Sequence, residues 1–319
     1  MAKTTLVILT YNRRAQLLRT VESSLALPER PPVIVVDNAS GDGSAAAVRR
    51  AFPAARVVDA GRNRGAAARN LGAHAAATPH VAFSDDDTTW CAGSIARGEA
   101  LLDAHPRIAA LTARVLVGAR REIDPACAIM AASPLPREDL PGPSLLGFLA
   151  GAVLFRRDAF LALGGYEERF FIGGEEALLA LDLVAAGWRV VYADDMAVVH
   201  EPSALRDPAA RDMHLARNAL WVAWMRRPAR VAGLLTWLAL RDAQGRQALR
   251  LAVRGLPWVL ARRRMLPRDV EAWRRRLDGI ERQVQQTPTM GVATGLPHAE
   301  KATVPAHSPA GSRLTASGR

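Results

Sequence analysis

The chain has 319 residues, half of them hydrophobic, which suffices for one large α/β domain with appendages or for two modest domains with a real core. Its formal net charge of +11 comes essentially from residues 205–282, where 18 arginines face 7 acidic residues, a balance that attracts phosphate-bearing partners without naming one. Two cysteines, Cys91 and Cys127, argue against a disulfide scaffold, and neither a signal-peptide pattern nor an apolar run of ~20 residues is present, so a cytoplasmic protein is expected, with peripheral residence on the inner face of a membrane left open.

In chain order, TTLVILT (4–10) predicts a buried strand, and residues 13–27 place Leu17, Leu18, Val21 and Leu25 at helical spacing. PPVIVVD (31–37) predicts a second strand, followed by the turn cluster NASGDGS and a helix through about Phe52. A third strand is expected over 55–60, a loop at GRNRG, a helix over 66–77 and a fourth strand at HVAFS (80–84). Strands that are apolar throughout and alternate with helices predict an α/β fold, a mostly parallel sheet covered on both faces. A helix from 93 and a strand ending at 117 continue it, and 118–146 reads as an irregular excursion.

Residues 147–157 predict another strand, then a helix ends at Gly164-Gly165. A helix from about Gly174 to Ala186 precedes a strand to 193 and a last short strand that delivers His200. Beyond it, 205–284 predicts helices rich in arginine and tryptophan, and 285–319, poor in apolar residues, a disordered tail. The chain thus divides at 1–204, 205–284 and 285–319.

In a parallel sheet the binding crevice lies beyond the carboxyl ends of the strands. Four polar clusters converge there: Thr10-Tyr11-Asn12, Asp37-Asn38, Arg62-Asn63-Arg64-Gly65 and Asp85-Asp86-Asp87. Two aspartates one residue apart can share a hard divalent cation with phosphate oxygens; equally, Asp87 or Thr88 can begin a helix. Asp37 suits hydrogen bonds from a ribose or base, or a solvated turn. The loop around Asn63, with Arg69 behind it, suits a diphosphate. GRNRG does not match the G-x-G-x-x-G fingerprint and no Walker-type lysine follows, which removes the two commonest nucleotide-binding motifs. Glu175-Glu176, after Gly173-Gly174, either complements a helix dipole or supplies a general base. His200 alone reads as structural unless acids and a metal meet it.

Taken in order, LVILTYNR, VIVVDNASGDGS, GRNRGAAARNLG, FSDDDT, FLAGAVLFRRDAFLALGGYEERFFIGGEE and VVH resemble the motif series of family 2 inverting glycosyltransferases with the GT-A fold, over residues 4–200. The resemblance implies a nucleotide-diphosphate-sugar donor, a divalent cation (Mg²⁺ or Mn²⁺) and a saccharide, lipid-linked or other hydroxyl acceptor, in cell-surface polysaccharide or glycoconjugate synthesis. It implies that Thr10, Tyr11 and Asn12 line the nucleotide pocket, that Asp37 meets the base, and that Asn63 and Arg69 hold the donor. Asp85 and Asp87 match the two ends of a D-x-D motif, with Asp86 on the donor side between them, Asp87 favoured as the metal ligand and His200 completing the metal site. Gly151 falls in the acceptor-side strand.

The family's Glu-Asp base pair reads Glu175-Glu176 here, so Glu176 stands where the catalytic aspartate is usual and Glu175 is the alternative base. A further acid expected two residues on is Leu178, a departure from the pattern. A rival reading is a nucleotide-sugar-binding protein without transferase activity. Nucleic-acid binding is not expected, because the basic residues lie outside the motif-bearing region. For 205–282 two readings stand side by side, a helical cap with a solvated arginine face and a membrane-surface contact.

Overall fold

The computed structural model describes residues 2–202 and 208–286, so the expected tail at 285–319 lies almost wholly outside the described residues. The chain opens with β1 (Thr4–Thr10), α1 (Arg14–Leu25), β2 (Val33–Asp37), α2 (Ser44–Ala51) and β3 (Arg56–Asp59). A 3-10 turn at Gly65–Ala68 leads into α3 (Arg69–Ala75), then β4 (His80–Asp85), β5 (Thr88–Trp90) and α4 (Ser94–Ala104). β6 (Ile108–Val117), β7 (Glu122–Ile123), α5 (Pro125–Ala131), β8 (Val153–Arg156), α6 (Arg157–Ala162), α7 (Glu175–Ala185) and β9 (Arg189–His200) follow. Five helices end it: α8 (Pro208–Arg226), α9 (Ala229–Ala239), α10 (Ala243–Val253), α11 (Leu256–Ala261) and α12 (Arg268–Gln286).

The strands lie in the order β3-β2-β1-β4-β8-β6-β9-β5, with β7 paired to β6. β1 to β4 are mutually parallel, β8 runs against both its neighbours, and β6 and β9 are again parallel. Leu6, Val7 and Ile8 are all fully buried although successive side chains point to opposite faces, so helices cover both sides of the sheet. The carboxyl ends of β1, β2 and β4 therefore open on one edge, as expected for this topology.

Four local expectations change. Thr88 begins a strand, not a helix, because it pairs antiparallel with His200; the helix-cap reading of Asp87 falls with it. Residues 118–146 are not irregular throughout: they hold β7 and α5, the latter started by Asp124, whose side chain accepts from the Ala126 N–H, with Pro125 next. Of 147–157 only Val153–Arg156 is strand, so Gly151 sits in the turn before β8 and not in a strand. Residues 189–200 form one strand, whose pairing with β6 slips between Ala113 and Arg114.

The terminal helices are packed on the sheet domain. Phe170 and Leu178 share a second core with Leu220, Trp221, Trp224 and Met225 of α8, while Leu266 and Val270 join the main core. Part of the arginine excess is consumed here. Arg226 bonds Asp182 (2.9 Å), and Arg227 bonds Glu271 and Asp278 (2.7 Å each). Among the described residues no helix is long and apolar enough to cross a membrane.

Candidate active site

The three aspartates leave the end of β4 and point three ways. Asp85 pairs with the guanidinium of Arg69, at the start of α3. Asp86 turns inward, accepting from Thr10 Oγ1 (2.9 Å) and Arg13 Nη1 (3.3 Å), while its carbonyl accepts from Thr20 Oγ1 (2.7 Å). Asp87 accepts from Arg13 Nη1 at 3.0 Å and lies 3.5 Å from His200 Nε2. The β5–β9 pairing makes that last contact, since Thr88 sits opposite His200 and the Glu201 N–H donates to the Asp87 carbonyl (2.8 Å). Arg69 on Asp85, Arg13 shared by Asp86 and Asp87, and the Thr10 hydroxyl on Asp86 thus relieve the repulsion within the triplet. Burial still pushes the Asp86 carboxyl up to about 6, against the pull of Arg13.

The loops after β1, β2 and β3 are stitched into one rim. Asn12, at φ 54°, accepts from the Gly41 N–H (2.7 Å), and its own N–H donates to Ser40 Oγ (2.9 Å). Asp37 is buried and accepts from the Ser40 N–H at 3.3 Å. Asn38 donates to Asn63 Oδ1 (2.9 Å) and accepts from the Arg64 N–H (2.8 Å). The Asn63 carboxamide oxygen is therefore engaged within the rim, while the Tyr11 side chain stands open to solvent.

Across from the rim, α7 begins after Gly173 and Gly174, both in the left-handed region at φ 81° and 88° that glycine adopts without strain. Glu175 is buried, and its Oε2 has no hydrogen-bond partner; the Tyr166 hydroxyl and Arg69 Nε, both buried, are in the same condition. These groups perturb one another electrostatically, together with Glu176, Asp85 and Arg211. Burial, then the neighbouring Glu176, pushes the Glu175 carboxyl up to about 8, and burial raises Glu176 too, with Arg69 and Arg211 pulling both down. Glu176 is the half-buried member and Glu175 the enclosed one.

Three close approaches hold the two sides together. A Cβ on Gly151 would lie 2.8 Å from Asp85 Oδ2, so only glycine lets the turn before β8 cross the carboxylate unhindered. A Cβ on Gly65 would overlap the Phe171 carbonyl, which accepts from the Ala66 N–H (2.7 Å) and ties the donor-side rim to the loop before α7. From the other flank, Asn218 of α8 is fully buried and donates to the carbonyls of Phe170 (3.0 Å), Ile172 (3.2 Å) and Gly173.

The expected residues thus gather at one edge, with Asp85, Arg69, Glu175 and Glu176 on one side and Asp87 with His200 on the other. No three His, Cys, Asp or Glu side chains form a closed metal-binding cluster among the described residues. Arg13, Tyr166, Arg211 and Asn218 belong to the arrangement and escaped the sequence reading. Arg13 and Tyr166 stand inside the motifs LVILTYNR and GGYEE, so adjacency was a usable signal; Arg211 and Asn218 had none, being brought in by α8 alone.

The family model described as glycosyl transferase family 2 matches residues 5–163. N-acetylglucosaminyl-diphospho-decaprenol L-rhamnosyltransferase of Mycobacterium tuberculosis is 32% identical over 251 residues, covering 66% of this chain and 80% of that protein. Among solved structures, the mannosyltransferase PcManGT from Pyrobaculum calidifontis, in complex with GDP-Man and Mn²⁺, superposes with a TM-score of 0.54 at 20% identity, covering 87% of this chain and 75% of that one. TarS of S. aureus (residues 1–349, in complex with UDP-GlcNAc) superposes with a TM-score of 0.55 at 15% identity, covering 80% and 73%. Motif series, sheet order and relatives agree, and the chain belongs to glycosyl transferase family 2, a glycosyltransferase with the GT-A fold.

Proposed function

We propose that this enzyme transfers a sugar from a nucleotide-diphosphate donor to an acceptor hydroxyl with inversion, assisted by a divalent cation at Asp87 and His200, with Glu176 as the base. The observation that carries the reading is the meeting, at one sheet edge, of a carboxylate–imidazole pair with a glutamate pair across the Asp85–Arg69 ion pair.

The donor set suits Mg²⁺ or Mn²⁺. Asp87 and His200 supply one oxygen and one nitrogen 3.5 Å apart, and such cations take most of their remaining ligands from substrate phosphates and water. An open set of that kind agrees with the lack of a closed three-residue cluster among the described residues. When bound, the cation offsets the charge that develops on the departing diphosphate. Arg13 fixes the Asp87 carboxylate in place, and Arg69 holds Asp85.

Glu176 takes the acceptor proton as the hydroxyl attacks the anomeric carbon from the face opposite the leaving diphosphate, and that in-line geometry inverts the configuration. Two adjacent carboxylates in a buried site do not both ionise readily. Burial raises both carboxyls, and Glu176, the less enclosed of the two, is the member assigned to take the acceptor proton. The rhamnosyltransferase relative suggests an L-rhamnosyl donor and a lipid-diphosphate-linked saccharide acceptor, in cell-surface polysaccharide synthesis.

The test incubates the full chain with nucleoside-diphosphate sugars, L-rhamnosyl donors included, a prenyl-diphosphate-linked saccharide, and Mg²⁺ or Mn²⁺. Metal-dependent transfer with inverted product stereochemistry is expected. A donor that binds and is never transferred with any acceptor class or cation would favour the binding-protein reading instead.

A further inference from the structure

The outer surface of the terminal helices departs from the ordinary polarity of a surface helix. On α9, Leu234 (47% exposed), Trp237 (51%) and Leu238 (39%) face solvent, while Ala232 is buried and Thr236 accepts from Trp224 Nε1 (2.8 Å) on the inner side. Positions 230, 234, 237, 238 and 241 fall on one helical face. Leu240, half exposed, extends it past the end of the helix.

Arginines frame this apolar face. The Arg241 guanidinium stacks 4.2 Å from the Trp237 ring centroid, Arg246 donates to the Leu240 carbonyl (3.0 Å), and Arg230 stands one turn before Leu234. Among the described residues none of the three has a carboxylate within ion-pair distance. Arg226, Arg227, Arg274 and Arg275 of the same helical region, by contrast, are all paired. These seven arginines therefore fall into two classes. One class serves the fold; the other surrounds exposed leucine and tryptophan.

We infer that the α9 face, with the α9–α10 turn, seats this protein on an anionic bilayer surface. Tryptophan favours the boundary between headgroups and acyl chains, leucines enter below it, and arginine stems lie along apolar surface while their heads meet lipid phosphates. Charge complementarity selects this occupant. A second copy of the chain, meeting the patch through a two-fold axis, would set arginine against arginine. Nucleic acid would satisfy the arginines and leave Leu234, Leu238 and Leu240 in water. Through Pro228, α9 continues from α8, whose Asn218 grips the loop before Glu175, so the docked face and the catalytic loop belong to one packed unit.

Vesicle flotation of the full chain tests this independently of the sugar chemistry. Wild type is expected to float with vesicles containing phosphatidylglycerol, less so with pure phosphatidylcholine or at high salt. Leu234→Glu/Trp237→Glu should lower the partition at least tenfold. Arg230→Gln, Arg241→Gln and Arg246→Gln should each lower it roughly fivefold on anionic vesicles and flatten its salt dependence. Each variant should keep wild-type transfer to a water-soluble acceptor and a normal melting transition, as outer-face positions allow. Wild type that stays unbound on phosphatidylglycerol vesicles overturns the inference. So do arginine variants that float like wild type, equal binding to neutral and anionic vesicles, or a dimer that the Trp237 variant dissociates without any vesicle binding.

Discussion

Replacing Gly151 with alanine sets a methyl group against the carboxylate at the centre of the site. The added Cβ would lie 2.8 Å from Asp85 Oδ2, 3.0 Å from its Cγ and 3.5 Å from the Asp85 backbone nitrogen. The first two distances are closer than carbon and oxygen tolerate, so the carboxylate or the turn must shift by several tenths of an ångström. Aspartate has little slack, and its other oxygen is held by Arg69, which is itself only 4% exposed. Backbone conformation is no obstacle, since Gly151 is not among the glycines at positive φ. Overpacking of this kind costs about 1–3 kcal/mol. If the carboxylate yields, the loss appears as a roughly 5- to 150-fold fall in kcat/KM for the donor, at ~1.4 kcal/mol per tenfold. If the turn yields, it appears as a melting temperature lower by about 2–4 °C per kcal/mol. Steady-state kinetics and thermal melts of Gly151→Ala, Asp85→Ala and the double variant separate the two. Non-additivity is expected, with Gly151→Ala adding little once Asp85 is gone. A Gly151→Ala enzyme with wild-type kinetics and melting would refute the reasoning, as would strict additivity.

Three further outcomes follow from the same geometry. Glu175 has a folded-state pKa raised above its unfolded value, so between the two the folded state holds a proton that the unfolded chain has released. Its stabilising contribution is complete below the unfolded pKa and is lost as pH rises toward about 8, at no more than ~1.4 kcal/mol per pH unit. Thermal melts of Glu175→Gln should therefore fall less steeply than wild type across that window; parallel slopes would contradict it. Because burial also raises Glu176, transfer rates at saturating donor should climb as pH rises above the ordinary carboxylate range, and a flat profile in a transfer-limited assay would count against a glutamate base. Asn218→Ala removes the carboxamide that donates to the carbonyls of Phe170, Ile172 and Gly173; Phe170 keeps the Ile172 N–H and Arg217 as donors, so the loss is about 1–2 kcal/mol in all. The substitution should lower the melting temperature by several degrees and reduce kcat more than it changes donor KM, and the opposite split would remove Asn218 from positioning the catalytic loop.

The architecture was readable where physics acts locally. Uninterrupted apolar runs such as LVIL and VIVV demand burial on both faces, and the alternation with helices then fixes a parallel sheet and the edge where polar residues gather. Legibility declined wherever a contact is made across the sheet. Nothing near Thr88 announces a strand, because its partner His200 lies more than a hundred residues away. The separate fates of Asp85, Asp86 and Asp87 depend on Arg69, Thr10 and Arg13, which arrive from two other segments, the end of β1 and the start of α3. Gly151 looked like a strand glycine, and its use is visible only from the carboxylate that it lets pass. Asn218 and Arg211 carry no motif at all, since tertiary packing of α8 alone brings them to the glutamates. The α5 start at Asp124-Pro125 is the reverse case, a local cap signal present in the sequence and overlooked within a segment read as loop.

The most direct test of the account is the pair of measurements made on Glu176→Gln, donor affinity by titration calorimetry with cation present and transfer in a single turnover. Glutamine keeps the size and hydrogen-bonding capacity of the side chain while removing its basicity. The account predicts donor affinity within a few-fold of wild type and transfer reduced by about 10² or more. Transfer at the wild-type rate would contradict the assignment of the base at the head of α7.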